Sequence, residues 1–186
     1  MDLPWGSEIS NKFITNVGLI TSNGPNGNNI MAAEWTHHIS YNPGLIAVCI
    51  HPVDATTENI EKTKEFGVNL CSIGQSSLSS ISGGYTGKKH DKVKALEKLG
   101  FKFYKAKKIN VLMVKEATAN IECKLVKQFT LGDHIMFVGE AVESSSSDIQ
   151  PLTYHGGKYW ILNTNINKQS EKEREKITKI LEEFKK

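Results

Sequence analysis

The segment Asp54-Ala55-Thr56-Thr57-Glu58-Asn59 places hydroxyls and a carboxamide where a helix is predicted to begin. Free backbone N–H groups at a helix start, aided by hydroxyls and the helix dipole, bind phosphate well. The plainer alternative is an ordinary N-cap, with either threonine in the capping position and Glu58 favouring the positive end of the dipole. Downstream, Lys88 and Lys89 close the glycine-rich loop that starts at Ser82-Gly83-Gly84 and are the natural counter-charges for an anion. A solvated basic turn is the alternative there.

A second stretch, Asn29 to Ser40, reads Asn-Ile-Met-Ala-Ala-Glu-Trp-Thr-His-His-Ile-Ser and is closely followed by Asn42-Pro43. A core strand would be more apolar, and a solvent loop would rarely gather Met31, Trp35 and Ile39. Small residues beside an aromatic suit a backbone that comes close to a flat ligand. An edge strand and turn with a half-buried Trp35 is the competing interpretation. His37 and His38 are adjacent, so on a strand they point to opposite faces, and no metal site is assigned to them. The run Gly84-Tyr85-Thr86-Gly87-Lys88-Lys89 has the lysine of a phosphate loop without the G-x-x-x-x-G-K-[ST] spacing. A G-x-S-x-G nucleophile elbow is absent as well. No catalytic acid, base or nucleophile is assigned.

The elements that must hold these groups read mainly as strands. Lys12 to Ser22 is apolar on both faces, as in a closed or covered sheet, and the Asn/Gly/Pro run at 23–28 turns it into Asn29–Thr36 as a hairpin. Leu45 to Ile50 is a short apolar strand ended by His51-Pro52. A helix is predicted from Asp54 to about Phe66 with Gly67 as its stop, then a strand over Val68–Ser72 and a short helix within Ile73–Ile81. Asp91 to Leu99 is a helix ended by Gly100. Ala119, Ile121, Cys123, Leu125 and Phe129 alternate with polar neighbours, which gives a strand with one buried face. Leu131-Gly132-Asp133 turns it into Ile135–Val142, Ser144–Ser147 is read as a polar linker, and Tyr159–Leu162 as a last strand. Ser170 to Phe184 is a helix with a Ser170/Glu173 capping box and a narrow apolar stripe at Ile177, Ile180, Leu181 and Phe184. These hairpins with short helices in the connections predict an antiparallel barrel or sandwich rather than a doubly wound sheet.

The bulk properties set bounds. A chain of 186 residues with 39% apolar and 23% charged residues builds one domain with a core. A net charge of +3 is too mild to argue for nucleic acid, though a basic groove for one phosphate fits it. The sequence shows no membrane-spanning apolar run and no secretory leader, and Cys49, Cys71 and Cys123 sit in apolar strands as structural thiols of a reducing cytoplasm.

Several short motifs recur in one order: Asn29-x-Met31-x-Ala33-x-Trp35-Thr36 with Ile39-Ser40 and Pro43; a strand ending at His51; Thr56-Thr57-x-Asn59-Ile60; Glu65-Phe66-x-Val68-Asn69; Gly132-Asp133-His134 leading to Val138-Gly139-Glu140-Ala141; and Pro151-Leu152-x-Tyr154-His155-Gly156-Gly157-x-Tyr159. Each alone is weak. In this order, over about Asn11 to Asn163, the chain resembles the flavin reductase-like family, the FMN-binding split-barrel proteins that include flavoredoxin.

The resemblance implies a mainly β split barrel over residues 1–163, working as a homodimer with FMN near the subunit interface. An amphipathic helix within 164–186 would pack on the barrel or on the partner. Ala33 to Ser40, including Glu34 and Ile39, would line the isoalloxazine ring, with Trp35 and Thr36 close to it and Asn29 and Met31 part of the same stretch. His51, Thr56, Thr57 and Asn59 would hold the phosphate and ribityl end, with Lys88 or Lys89 as additional charge. His134 and Tyr159 match positions near the open face of the flavin that admit the second substrate. Glu34 departs from some relatives; its acid either points away or lowers the flavin's potential. The expected function is an FMN-dependent oxidoreductase, with NAD(P)H as donor in a reductase or a redox protein as donor in a flavoredoxin-like carrier. A non-enzymatic split-barrel module holding flavin or haem is the alternative.

Overall fold

The computed structural model describes residues 1–166 and 168–185. The strands are β1 (Ile14–Asn16), β2 (Gly18–Ser22), β3 (Asn29–Ala33), β4 (Thr36–Tyr41), β5 (Gly44–Ile50), β6 (Glu65–Leu70), β7 (Phe103–Lys105), β8 (Leu112–Val114), β9 (Ala119–Leu131), β10 (His134–Ser146), β11 (Leu152–His155) and β12 (Lys158–Ile161). The helices are α1 (Ala55–Thr63), α2 (Ser76–Gly84), α3 (Lys92–Lys98) and α4 (Glu171–Glu183).

Seven strands form one antiparallel sheet in the order β3-β2-β6-β9-β10-β5-β4. Its two edge strands, β3 and β4, are consecutive in the chain and joined only by Glu34 and Trp35. A flat sheet would hold its edges several strand spacings apart. So short a link therefore requires the sheet to roll until its edges meet, and since β3 and β4 form no ladder with each other, the roll stays split there. Thr36 fastens the seam: its buried hydroxyl donates to the Ala33 carbonyl at 3.0 Å, while its own carbonyl accepts from Asn16 Nδ2 at 2.6 Å. The expected split barrel is thus present.

The interior of the roll is filled by Ile20, Val48, Ile50, Ile60, Phe66, Val68, Cys123 and Phe137. A second apolar layer, with Leu19, Ile30, Leu78, Val93, Leu96 and Val114, lies outside it under α2 and α3. Leu19 and Ile20 are neighbours on opposite faces of β2 and both are fully buried, which explains a strand without alternation. Gly139 on β10 lets Phe66 pack flat on the backbone, because a Cβ there would lie 2.5 Å from Phe66 Cζ and 2.8 Å from Cys123 Cβ.

Several boundaries differ from those expected. The first strand is broken at Val17, and β1 leaves the barrel to pair with β11 in a sheet of three strands. The first helix ends at Thr63, not near Phe66: Lys64 takes φ 61° and its N–H bonds to the Ile60 carbonyl at 2.8 Å. Gly67 lies inside β6, where an added Cβ would meet Met113 Sδ at 2.5 Å, so it serves close packing rather than a helix stop. The N-cap is Asp54, not a threonine. Ser144 to Ser146 continue β10 against Ile121, Asn120 and Ala119 instead of forming a linker. β7 and β8 pair antiparallel in a segment to which the sequence reading assigns no strand. In β9 the predicted buried face holds through Leu125, whereas Phe129 is exposed, as are Val126 and Leu131 near it, and Glu122, expected on the polar face, is buried. The capping box of α4 is present, but none of the described residues of α4 is buried. Cys49, Cys71 and Cys123 are free thiols, and Cys49 is only half-buried. Burial pushes the Cys71 and Cys123 thiols up to about 12, with the charge of Glu122 adding to the effect at Cys123.

Candidate functional site

A cavity of about 250 Å³ opens where β3, the end of β5, the start of α1, the end of α2 and the start of α3 converge. Asn29, Met31, His51, Thr56, Ser82 and Lys92 stand on its wall, with Asp54 and the backbone-rich turn Tyr85-Thr86-Gly87. The first turn of α1 supplies Thr56, whose Oγ1 accepts a 2.8 Å bond from Asn29 Nδ2. Both residues are buried, so this pair is fixed before any ligand arrives. Gly87 presses on the pair: a Cβ there would sit 2.7 Å from Asn29 Cγ and 3.2 Å from Ala55 Cβ.

Thr57 and Asn59, expected beside Thr56, face other partners. The Thr57 hydroxyl donates to the His51 carbonyl at 2.7 Å and so fixes the end of β5. Asn59 donates to Ser22 Oγ and the Gly27 carbonyl, and accepts from the Asn26 N–H, which holds the turn between β2 and β3 on α1. Lys88 and Lys89 line a neighbouring, larger recess of about 550 Å³. The Lys88 ammonium is paired with Glu58, whose carboxyl is held below its ordinary range by Asn26 and then by Lys88.

His51 connects the cavity to an aromatic group. Its ring lies on that of His134, with centroids 3.9 Å apart and planes at 36°, and His134 in turn meets Trp35 at 4.6 Å. His134 starts β10, and its Nδ1 is 2.7 Å from Asp133 Oδ1, a contact that lowers the Asp133 carboxyl. Donor atoms of His51, Asp133 and His134 all lie within 4.8 Å of one another, a set able to ligate a cation; His37 and His38, considered from sequence, are not part of it. The sequence marks Asp133 only as part of a turn and of the Gly132-Asp133-His134 motif and assigns it no site role, because one acid after a turn glycine carries no spacing signal.

The remaining expected positions lie along the seam. Ala33 is buried against the barrel core, Glu34 and Trp35 form the link, and Ile39 and Ser40 sit at a bulge of β4 on β5, with Ile39 exposed. The charge of Glu34 and that of Tyr159 add to the burial that raises the Tyr154 phenol. Tyr159 itself is held on α2, donating to Ser79 Oγ at 3.0 Å, and is not in the His51–His134–Trp35 group. The sequence assigns no site role to Ser82 or Lys92, both on the cavity wall. The available signal was the position of Lys92 beside Val93 and one turn before Leu96, on the apolar side of α3.

A family model for the flavin reductase-like domain matches residues 10–162. The chain belongs to that family. This flavin reductase-like protein is 32% identical over 124 residues to a ferric-chelate reductase (NAD(P)H) of Archaeoglobus fulgidus, covering 66% of this chain and 70% of the relative. It is 27% identical over 126 residues to the NADH-dependent FMN reductase AsuE2 of Streptomyces nodosus subsp. asukaensis, covering 67% and 65%. The aligned stretches therefore span about two thirds of each relative's length. Its fold matches flavoredoxin from Methanosarcina acetivorans with a TM-score of 0.77 at 22% identity, over 92% of this chain and 95% of that one. The family, the split-barrel fold and the oxidoreductase class expected from the motifs are met. Among the described residues no helix is long and apolar enough to cross a membrane.

Proposed function

We propose that this flavin reductase-like protein binds FMN and uses NAD(P)H to reduce it. One observation carries the proposal: His51 belongs both to the polar cavity at the start of α1 and to the stacked group with His134 and Trp35. A polar pocket for an anion and a flat-faced set for a ring are thereby contiguous, the pattern that a flavin mononucleotide demands. The wall also contains a buried hydroxyl without a partner, Ser82 Oγ, which a polar ligand would satisfy.

Bound flavin would supply the electron chemistry, leaving the chain to bind, orient and exclude water. Thr56 and Asn29 form the polar end. Met31 offers apolar contact along the wall. Trp35 and the seam from Ala33 to Ser40 would face the ring, and His134, held by Asp133, would stand at the approach of the nicotinamide. A redox protein as donor is the second form of the same activity, for which the fold of flavoredoxin is the support.

The outer half of β9 with Val126, Phe129 and Leu131, the exposed β4 residues Ile39 and Tyr41, and the bare stripe of α4 support a homodimer in which a second copy covers them. Three free thiols, two of them buried, support a cytoplasmic location.

The test is an absorbance spectrum of the protein with FMN, before and after NADH or NADPH is added without air. Uptake of flavin and bleaching support a reductase. A bound flavin that neither nucleotide bleaches shifts the function to a carrier with a protein donor. Failure to take up flavin refutes the proposal, and a monomer by light scattering at micromolar concentration refutes the dimer.

A further inference from the structure

We propose that His51, Asp133 and His134 bind a divalent first-row transition-metal ion through two imidazoles and a carboxylate. The site stands beside Trp35 and goes beyond the flavin reading, since its three side chains are brought together without a flavin.

Strand topology puts the histidines side by side. β5 and β10 are antiparallel neighbours, and at this end their ladder stops with Ile50 opposite Ile135. One step further along both chains, His51 comes opposite His134, and opposed residues of neighbouring strands project from the same face. Their ring centroids are accordingly 3.9 Å apart. Asp133 arrives by the next hairpin. Leu131 pairs with His134, so β9 turns into β10 through Gly132 and Asp133 alone, with Gly132 at φ 60°. Asp133 Oδ1 then lies 2.7 Å from His134 Nδ1. The main chain at His51 is fixed as well, its carbonyl accepting from the Thr57 hydroxyl at 2.7 Å and from the Asp54 N–H at 3.1 Å.

An ordinary ion pair accounts for Asp133 with His134, and an aromatic contact for His51 with His134. Neither requires one donor atom from each of the three residues to lie within 4.8 Å of the other two, as they do. Nitrogen and oxygen ligands about 2.0–2.2 Å from a tetrahedral ion stand roughly 3.3–3.6 Å from one another, so closing on an ion takes an inward shift of little more than about 1 Å. Side-chain rotation supplies that shift, because His51 is exposed and the Asp133 side chain is 79% exposed. The same exposure lets the ion enter from solvent and lets water complete its coordination. Two imidazoles with one carboxylate suit zinc, cobalt or nickel, whereas magnesium and calcium take oxygen ligands.

The test titrates Co2+ into the whole protein without flavin and follows the visible spectrum, with Zn2+ as competitor. Absorption bands of coordinated Co2+ should rise to saturation and vanish when Zn2+ is added. His51→Ala and Asp133→Asn should each weaken Co2+ binding roughly tenfold or more. His90→Ala, a histidine outside the group, should bind like the wild type. Unfolding midpoints in EDTA check that the variants fold, and Zn2+ should raise the midpoint of the wild type more than that of His51→Ala. A spectrum of free aqueous Co2+ alone, unchanged affinity in His51→Ala or Asp133→Asn, or an equal loss in His90→Ala overturns the site. The flavin reading is judged apart from it. Protein that binds Co2+ and refuses FMN keeps the metal site and loses that reading; protein that takes up FMN and leaves Co2+ free in solution keeps the reading and loses the metal site.

Discussion

Replacing Thr56 by Val keeps the shape of the side chain and removes its hydroxyl from a bonded, buried pair. Two effects follow, and they read out separately. Asn29 Nδ2 loses its 2.8 Å acceptor inside a residue that is 4% exposed. An unsatisfied buried donor costs about 1–3 kcal/mol, and the open cavity beside Asn29 puts the value at the lower end, about 1 kcal/mol. For a chain of this size that lowers the unfolding midpoint by about 2–4 °C. The ligand loses a hydrogen bond to a charged oxygen, worth about 1.5–3 kcal/mol, which is roughly a tenfold to hundredfold weaker FMN affinity. Thr57→Val is the internal control. Its hydroxyl is committed to the His51 carbonyl, so stability should fall by about 1 kcal/mol while FMN affinity changes by less than about threefold. Flavin fluorescence quenching measures the affinities and calorimetry the midpoints. If Thr56→Val binds FMN like the wild type, or if Thr57→Val proves the more damaging of the two, the placement of the polar end at Thr56 is wrong.

Other consequences are as specific. Gly139→Ala forces a methyl to within 2.5 Å of the Phe66 ring and should lower stability by about 1–3 kcal/mol in urea unfolding; an unchanged midpoint would show that β10 can shift at its bulge. Glu122 is buried and accepts from the backbone N–H groups of Lys107 and Lys108 at 2.8 and 2.6 Å, so Glu122→Ala strands both and should cost about 2–5 kcal/mol by the same assay. Lys92 titrates at about 8 in the fold and near 10.4 when unfolded, so between those values the unfolded chain binds more protons and ligand-free stability gains as pH rises. Lys92→Met should remove that gain, seen as a difference between the two proteins' urea midpoints from pH 7 to 10; parallel curves would contradict the burial of the charge.

Much of the fold was legible because its strands carry local signals. Alternation exposed β9, the glycine at 132 marked its turn, and the Asn/Gly/Pro run at 23–28 marked the first hairpin. Errors came where tertiary packing overrode local chemistry. Gly67 looks like a helix stop only until Thr21 and Met113 are known to press on it, and Lys64 adopts a left-handed backbone that its sequence does not advertise. The four-serine run has the composition of a linker yet completes a long strand, because its backbone finds a partner in β9. At the candidate site, the threonine motif lies on the turn of α1 that borders the cavity, but the sequence does not say which hydroxyl faces it. Lys88 and Lys89 stand out in a glycine-rich loop and border the neighbouring recess, whereas Lys92, inside Lys-Val-Lys, has the sequence of one more solvated helix residue although it is buried.

The link of Glu34 and Trp35 makes tether length a control on curvature. Because two residues join opposite edges of a seven-stranded sheet, the chain itself acts as a drawstring on the barrel. Loop-closure entropy changes slowly with length, about 0.6 kcal/mol for each doubling. A few glycines inserted at the link would therefore cost little as chain entropy, yet would free the edges to drift apart. The mouth between them, where Trp35 lies beside His134, would widen while the far strands stayed paired.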